Sequence, residues 1–528
     1  MGCPCGVFGQ TLTMPVPEPL PLELIAFILK YMDIRLPTRE DIHLAFEQGE
    51  EAIVELVLGI SQHVEELAGQ LEVQATVLKA LQARLAKNSE NSSKPPSSDG
   101  YGKPKRTESL RRPGQKPNGG QPGHEGQTLN RSEHPEQTEM HEVVECTQCG
   151  AGLQAVEATA YEERQVFDIP AIRIEVTAHR AEIKICPGCG AENRGVFPND
   201  VTGAVQYGNG VKTWATYFQT QHFVPVERTA QIFEDLLNHR IAEGTLIKAG
   251  QDLAVCIEPA TDAVKEQLRQ AAVVHADESG LRVHGKLHWL HVVATAWLTD
   301  YTVHAQRGQT AMDDAGVLPD FKGRVMHDHW KPYFGYAECS HALCNAHHLR
   351  ELQFIEKQYG QRWAGTMAAL LLEIKKTVDT AQENDREALP AEVITAFEQR
   401  YEDILNTGYP VNPRPPPPPA GNGSKKRGRP AQTPPLNLLD RLRDFKPQTL
   451  AFMHDFRVPF DNNLAERDVR MVKVKQKVSG GFRTLDGAQD FARIRGYVST
   501  ARKNAVNVFK AIRDAFAGHP FVPSGAAP

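Results

Sequence analysis

The stretch VVHADESGLRVHGKLHWLHVVATAWLTDYTVHAQ (273–306) constrains the fold more than any other part of the sequence. It reads as a run of consecutive strands. Turn residues interrupt it at His284-Gly285-Lys286 and at Asp300. That predicts three consecutive strands. A helical piece, TAMDDAGVL, follows, and then GRVMHD, an apolar strand ending in Asp328. Three sequential strands, a helix and a fourth strand make a mixed α/β core. Asp277 falls in or near the end of the first strand. If the first and fourth strands are neighbours, Asp277 and Asp328 meet.

Two close carboxylates repel each other unless a cation neutralises them. Mg²⁺ prefers hard oxygen ligands and keeps water and phosphate in its shell. Two such ions ~3.5–4 Å apart stabilise the attacking and leaving oxygens of a phosphoryl transfer. Such a site needs a third carboxylate, and Glu466 in VPFDNNLAERDVRMVKVKQK (458–477) is the candidate. Glu466 has three readings. It can be the N3 partner of an N-cap at Asn463. It can pair with Arg470 at i,i+4. It can be the metal ligand, which suits its surroundings best. Pro459, Asp461 and Asn462 then start the helix earlier and leave Glu466 inside it. Arg467, Arg470, Lys473, Lys475 and Lys477 form a basic flank for phosphates. Asp461 and Asp468 are competing carboxylates.

Upstream, Ile53, Val57, Ile60, Val64, Leu67, Leu71, Gln74, Leu78, Leu81 and Leu85 alternate spacings of four and three. This a/d seam predicts a coiled coil over 51–87 and hence a homo-oligomer; one long helix packed on its own protein is the alternative. Residues 1–50 are unassigned. The tract 88–130 is rich in Ser, Pro, Gly and Lys and reads as a disordered basic linker, either a plain tether or an arm on phosphates. CTQCG (Cys146, Cys149) and CPGCG (Cys186, Cys189) lie 36 residues apart. That spacing predicts a structural Zn²⁺ ribbon over 140–195, with strand-like alternation in RIEVTAH between the pairs. Residues 203–262 read as short helices, either a helix-turn-helix unit on DNA or a plain bundle.

Between Asp328 and Glu466 lie 137 residues, too many for a simple connection. Most of 346–454 reads helical. Within it, PRPPPPPAGNGSKKRGRPAQTPP (413–435) forbids a buried element. Lys425, Lys426, Arg427 and Arg429 there include Arg-Gly-Arg-Pro, the core of minor-groove-binding AT-hook peptides. A solvated basic loop is the alternative. The net charge of −6 excludes a uniformly basic nucleic-acid binder but not local basic surfaces. No run of about 18 apolar residues predicts a membrane span, and the N-terminus has no secretory pattern. Met-Gly-Cys invites a lipidation reading that Gly6 weakens. The expected location is cytoplasmic.

HADESGLRV, VMHDHWKPYF and PFDNNLAERDVR resemble the three acidic segments of DDE transposases. More closely, the chain is similar to the insertion sequence 66 family of bacterial transposases. The heptads, the tract NSSKPPSSDG, the four-cysteine region, YGNGVK and DNN-x-AER carry that resemblance over roughly residues 50–515. It implies an RNase H-like core with Asp277, Asp328 and Glu466 as its triad. It also implies Mg²⁺-dependent strand cleavage and transfer, with Mn²⁺ able to substitute, and binding of element ends by N-terminal parts. Accessory proteins encoded by the element are plausible partners. The helical stretch before Glu466 resembles the insertion domain of several transposase families. Cys344-Asn-Ala-His347 resembles a C-x-x-H signature of such insertions, with a helix start carrying a satisfied histidine as the alternative.

The expected fold is therefore multidomain α+β: a coiled coil, a zinc ribbon, a helical HTH-like segment, and an RNase H-like α/β catalytic core. The core spans 270–345 and 455–500. The helical insertion 346–454, with its Pro-rich basic loop 411–435, interrupts it, and a C-terminal helix and tail cover 501–528. The function expected is an insertion-sequence transposase acting on transposon ends and target DNA. A structure-specific nuclease without strand transfer, or a zinc-ribbon DNA-binding regulator without catalysis, are the alternatives.

Overall fold

The computed structural model of the chain describes residues 37–85, 129–414 and 432–524. The expected linker up to residue 128, and Lys425, Lys426, Arg427 and Arg429, lie outside the described residues. The chain divides into two units, with the boundary at Ala86.

In the first unit, helix α1 (Arg39–Gln48) precedes the 36-residue helix α2 (Glu50–Leu85). Thr38 and Asp41 cap α1 reciprocally, each side chain accepting the other's backbone N–H. Gly49, at φ 105°, separates the helices in a conformation open to glycine. Along the seam of α2, Val57, Val64, Leu71, Leu78 and Leu81 are exposed.

The second unit begins with the cysteine region. The short strands β1 (Ile183–Ile185) and β2 (Glu192–Arg194) pair antiparallel around the second cysteine pair. RIEVTAH is not a strand, contrary to its alternation, and Val166, Ile169 and Val176 are exposed. Alternation favours a strand only where another strand accepts its hydrogen bonds.

Helices α3 (Asn209–Thr216), α4 (Val226–Leu237), α5 (Glu243–Cys256) and α6 (Glu258–Arg269) follow, with a π-helical turn Tyr217–Gln221 after α3. Ala215, Ala230, Phe233, Leu246 and Ala249 form one small core among them.

Strands β3 (Val273–Val283), β4 (Lys286–Ala294) and β5 (Thr299–His304) form an antiparallel meander. His284 and Gly285 both have positive φ, the backbone a two-residue hairpin needs to match strand twist. The second turn is Thr295–Leu298, not Asp300. Asp300 lies inside β5 and is buried. Helix α7 (Gln309–Ala315) leads to β6 (Arg324–His327) and β7 (Ser340–Leu343). The sheet order is β5-β4-β3-β6-β7, with β3, β6 and β7 parallel. The first and fourth strands of the block are thus neighbours, and the class is mixed α+β. At Gly323 a Cβ would stand 2.5 Å from the Ala271 carbonyl oxygen, so only glycine fits where β6 enters beside β3.

Helices α8 (Asn345–Tyr359), α9 (Arg362–Glu383), α10 (Ala391–Gly408), α11 (Pro434–Asp444), α12 (Lys446–Thr449) and α13 (Ala451–His454) build an all-helical layer. Its core of Trp363, Met367, Leu371, Tyr401 and Leu439 continues into the sheet edge through Met326, Ala342 and Cys344. The chain then returns through α14 (Asn463–Ser479), α15 (Leu485–Lys503) and α16 (Val508–Phe516). Ala465, Val469 and Val472 of α14 and Ala488 and Ala492 of α15 cover one face of the sheet, against Leu281, Leu290, Val292 and Tyr301. Val264, Leu268 and Met312 of α6 and α7 cover the other, against Val274, Ala276 and Val293.

Candidate active site

Successive strand residues point to opposite faces, and this sorts the acidic residues. His275 lies opposite Met326, so Asp277 and Asp328 each stand two residues past the last β3–β6 pair. Both lie on the face covered by α14. The Asp277 carboxylate accepts the Glu278 N–H at 2.8 Å, and Asp328 accepts the Trp330 N–H at 3.0 Å. Burial, then Glu278, then Asp328 raise the Asp277 carboxyl well above the usual range, and Glu466 adds to the effect. Burial, then Glu278, push Asp328 up to about 7. Asp277 thus feels both other members of the expected triad, although they come from distant parts of the chain.

Glu466 enters from the first turn of α14, where a carboxylate also complements the helix dipole. The N-cap is Asn462, one residue earlier than Asn463, and its side chain makes no cap bond. Instead it accepts from His275 Nδ1 at 2.8 Å and donates to the Ala276 carbonyl at 2.8 Å. Asn462 N–H points at Cys344 Sγ at 3.2 Å. One buried asparagine therefore joins the strand of Asp277, the start of α8 and the helix of Glu466. Asp461 accepts the Asn463 N–H, and Asp468 pairs with Lys503 at 2.8 Å, so both rival carboxylates are engaged elsewhere.

The basic flank is smaller than its sequence suggests. Lys473 donates to the Gly280 carbonyl at 2.6 Å and is half-buried. Lys475 is buried, lies 3.8 Å over the Phe482 ring and donates to the Gly480 carbonyl. Both lysines give their ammonium groups to backbone carbonyls, while Arg467, Arg470 and Lys477 are exposed.

On the opposite face lies a group that alternation alone did not single out. Glu278 is buried, accepts from Tyr333 Oη at 2.7 Å and from Arg307 Nε at 2.9 Å. The Arg307 guanidinium lies 4.9 Å from the Trp289 ring and 4.2 Å from the Trp330 ring. A guanidinium between two indoles gains cation–π attraction while it neutralises a buried carboxylate. The sequence signal was only the pairing of Asp277 with a second acid, one residue on and so on the other face.

Cys344 and His347, at the start of α8, meet Glu466. Their ligand atoms and a Glu466 oxygen all lie within 4.8 Å of one another, and among the described residues no other set of three does so. His347 Nδ1 stands 3.8 Å from Glu466 Oε1, and both atoms are buried without a hydrogen-bond partner. This histidine is thus not satisfied. Arg350 and Arg470 each approach the other Glu466 oxygen at 3.7 Å.

The two cysteine pairs form matching knuckles. Cys146 N–H donates to Ala151 O and Gly150 N–H to Cys146 O; Cys186 and Gly190 repeat both bonds. Gly150 and Gly190 take φ 73° and 72°. Within each knuckle, backbone amides and the second thiol hold Cys146 and Cys186 below the usual thiol range. The structure does not bring three of the four sulfurs within 4.8 Å.

The profile of a family of unknown function (DUF6444) matches residues 35–130. No curated protein matches the chain. Among the described residues no helix is long and apolar enough to cross a membrane. The profile described as Transposase IS66 family matches residues 204–490, which include the whole sheet, Asp277, Asp328 and Glu466. More than half of the chain is covered, and the protein belongs to the IS66 family of transposases.

Proposed function

We propose that the chain cleaves DNA at transposon ends and joins the freed 3′-hydroxyl to target DNA, using Asp277, Asp328 and Glu466. The observation that carries this reading is the placement of Asp277 and Asp328 on adjacent strands under α14, where Asp328 and Glu466 both add to the burial and Glu278 that raise the Asp277 carboxyl. Like charges held this close call for a cation. The donor set is all oxygen, which suits Mg²⁺, with Mn²⁺ able to substitute. When bound, such ions stabilise charge on the attacking and leaving oxygens. Asp277 and Asp328 are each oriented by a backbone amide. Exposed Arg467 and Arg470 beside Glu466 suit DNA phosphates. The sheet order, with the first and fourth strands adjacent, supports an RNase H-like core interrupted by the helical layer. The matching knuckles support a Zn²⁺ ribbon from Cys146, Cys149, Cys186 and Cys189. The exposed seam of α2 supports self-association through a coiled coil. Lys425, Lys426, Arg427 and Arg429 are proposed as a minor-groove contact.

The test is cleavage and joining of DNA carrying the element's terminal repeats, with and without Mg²⁺. Wild type should cut and join only with the metal, and Asp277→Asn should do neither while still binding the DNA. Cutting without joining would instead support a nuclease. Wild-type cutting by Asp277→Asn would remove the triad.

A further inference from the structure

We propose that Cys344, His347 and Glu466 form a binding site for a divalent transition metal of the Zn²⁺ class, which shares Glu466 with the proposed triad but uses neither Asp277 nor Asp328. Three observations point there. The His347 Nδ1–Glu466 Oε1 distance, 3.8 Å, is too long for a hydrogen bond. A tetrahedral ion with bonds of about 2.0–2.2 Å holds a nitrogen and an oxygen ligand ~3.3–3.5 Å apart, so closing this gap by a few tenths of an ångström fits one. Both atoms are buried and carry no hydrogen-bond partner, which is costly unless something else occupies the gap. The third ligand, Cys344 Sγ, lies within the same 4.8 Å cluster and receives the Asn462 N–H at 3.2 Å. An amide aimed at sulfur is the kind of outer contact that orients a metal ligand.

The chemistry of the donors separates this site from its neighbour. A thiolate and a neutral imidazole select zinc or cobalt over magnesium. One thiolate and one carboxylate balance a dication, and the thiol proton leaves to solvent as the metal binds. Three protein ligands leave a fourth position open. Arg350 and Arg470 approach the other oxygen, Oε2, so Oε1 is the atom available to the ion. Because Cys344 and His347 lie at the start of α8 and Glu466 at the start of α14, such an ion ties the helical layer to the return helix. Glu466 is shared with the proposed magnesium triad, while Asp277 and Asp328 take no part, so metal content in Asp277→Asn separates the two readings.

The experiment is the Zn²⁺ content of the full chain after equilibration with excess Zn²⁺ and removal of free metal. Wild type should retain one more ion per chain than Cys344→Ser, His347→Asn or Glu466→Gln. Asp277→Asn should keep the wild-type content. The Cys146→Ser/Cys149→Ser pair should leave this ion in place. His347→Cys, which keeps a soft ligand, should retain it, and that guards against loss through misfolding. Equal Zn²⁺ content in wild type, Cys344→Ser and His347→Asn would overturn the proposal. So would loss of the ion in Asp277→Asn, which would assign it to the carboxylate cluster.

Discussion

Replacing Asn462 by alanine tests how the strand of Asp277, the start of α8 and the helix of Glu466 are held together. Asn462 is 1% exposed, and its side chain joins His275 Nδ1 and the Ala276 carbonyl at 2.8 Å each. Burial keeps His275 below its usual range, hence neutral, so Nδ1 carries the proton donated to Asn462 Oδ1. Alanine leaves that N–H and a strand carbonyl buried without partners. Each such group costs about 1–3 kcal/mol, so the pair should cost roughly 2–4 kcal/mol once some relaxation is allowed. Asn463 is the internal control. It has the same chemistry one residue later but is exposed, and Asn463→Ala should stay within about 0.5 kcal/mol of wild type. Urea unfolding followed by tryptophan fluorescence measures both. The transition to follow is that of the sheet, because a chain of several domains need not unfold in one step. A loss below about 1 kcal/mol for Asn462→Ala, or equal losses for the two variants, would refute the reasoning.

Three further outcomes follow from the same geometry. Asp277→Asn removes one charge from the carboxylate cluster, so in chelator the variant should be more stable than wild type by about 1–2 kcal/mol at neutral pH. Thermal unfolding in chelator checks this, and a less stable variant contradicts it. Glu278→Gln leaves Arg307 without its counter-ion and should cost about 2–4 kcal/mol in denaturant unfolding, the lower end reflecting a guanidinium that water partly reaches. Combining it with Arg307→Met should recover part of the loss; strictly additive losses would deny the coupling. Burial lowers the Lys475 ammonium to about 8. Between there and the usual lysine range the unfolded chain holds a proton that the folded chain lacks, so stability should rise with pH across that window. The stability difference between wild type and Lys475→Met should therefore grow in favour of wild type from pH 8 to pH 10, and a flat difference would contradict the buried placement.

Much of the core was legible because its signal is local. Runs of strand-forming residues mark β3 and β4, and the His284-Gly285 turn between them needs a backbone that only a few residues adopt. Asp300 misled because a charged residue in an apolar run reads as a turn, whereas here Thr295–Leu298 makes the turn and Asp300 is buried in the strand. RIEVTAH misled for the converse reason: alternation is a property of the segment, but a strand needs a neighbour.

The site was legible in residue type and not in arrangement. Sequence by itself determined that Asp277, Asp328 and Glu466 stand in acidic segments, and that two glycine-flanked cysteine pairs lie in one region. Only the tertiary structure decided that β6 inserts beside β3, which puts both aspartates on the face α14 covers. It also decided that Lys473 and Lys475 turn inward, that Arg307 pairs with Glu278, and that Asn462 rather than Asn463 joins the strand of Asp277 to the starts of α8 and α14. Cys344 and His347 meet Glu466 across more than a hundred residues, and no periodicity encodes that distance. Local chemistry sets which groups a chain carries; close packing of a sheet, an inserted helical layer and a returning helix sets which of them meet.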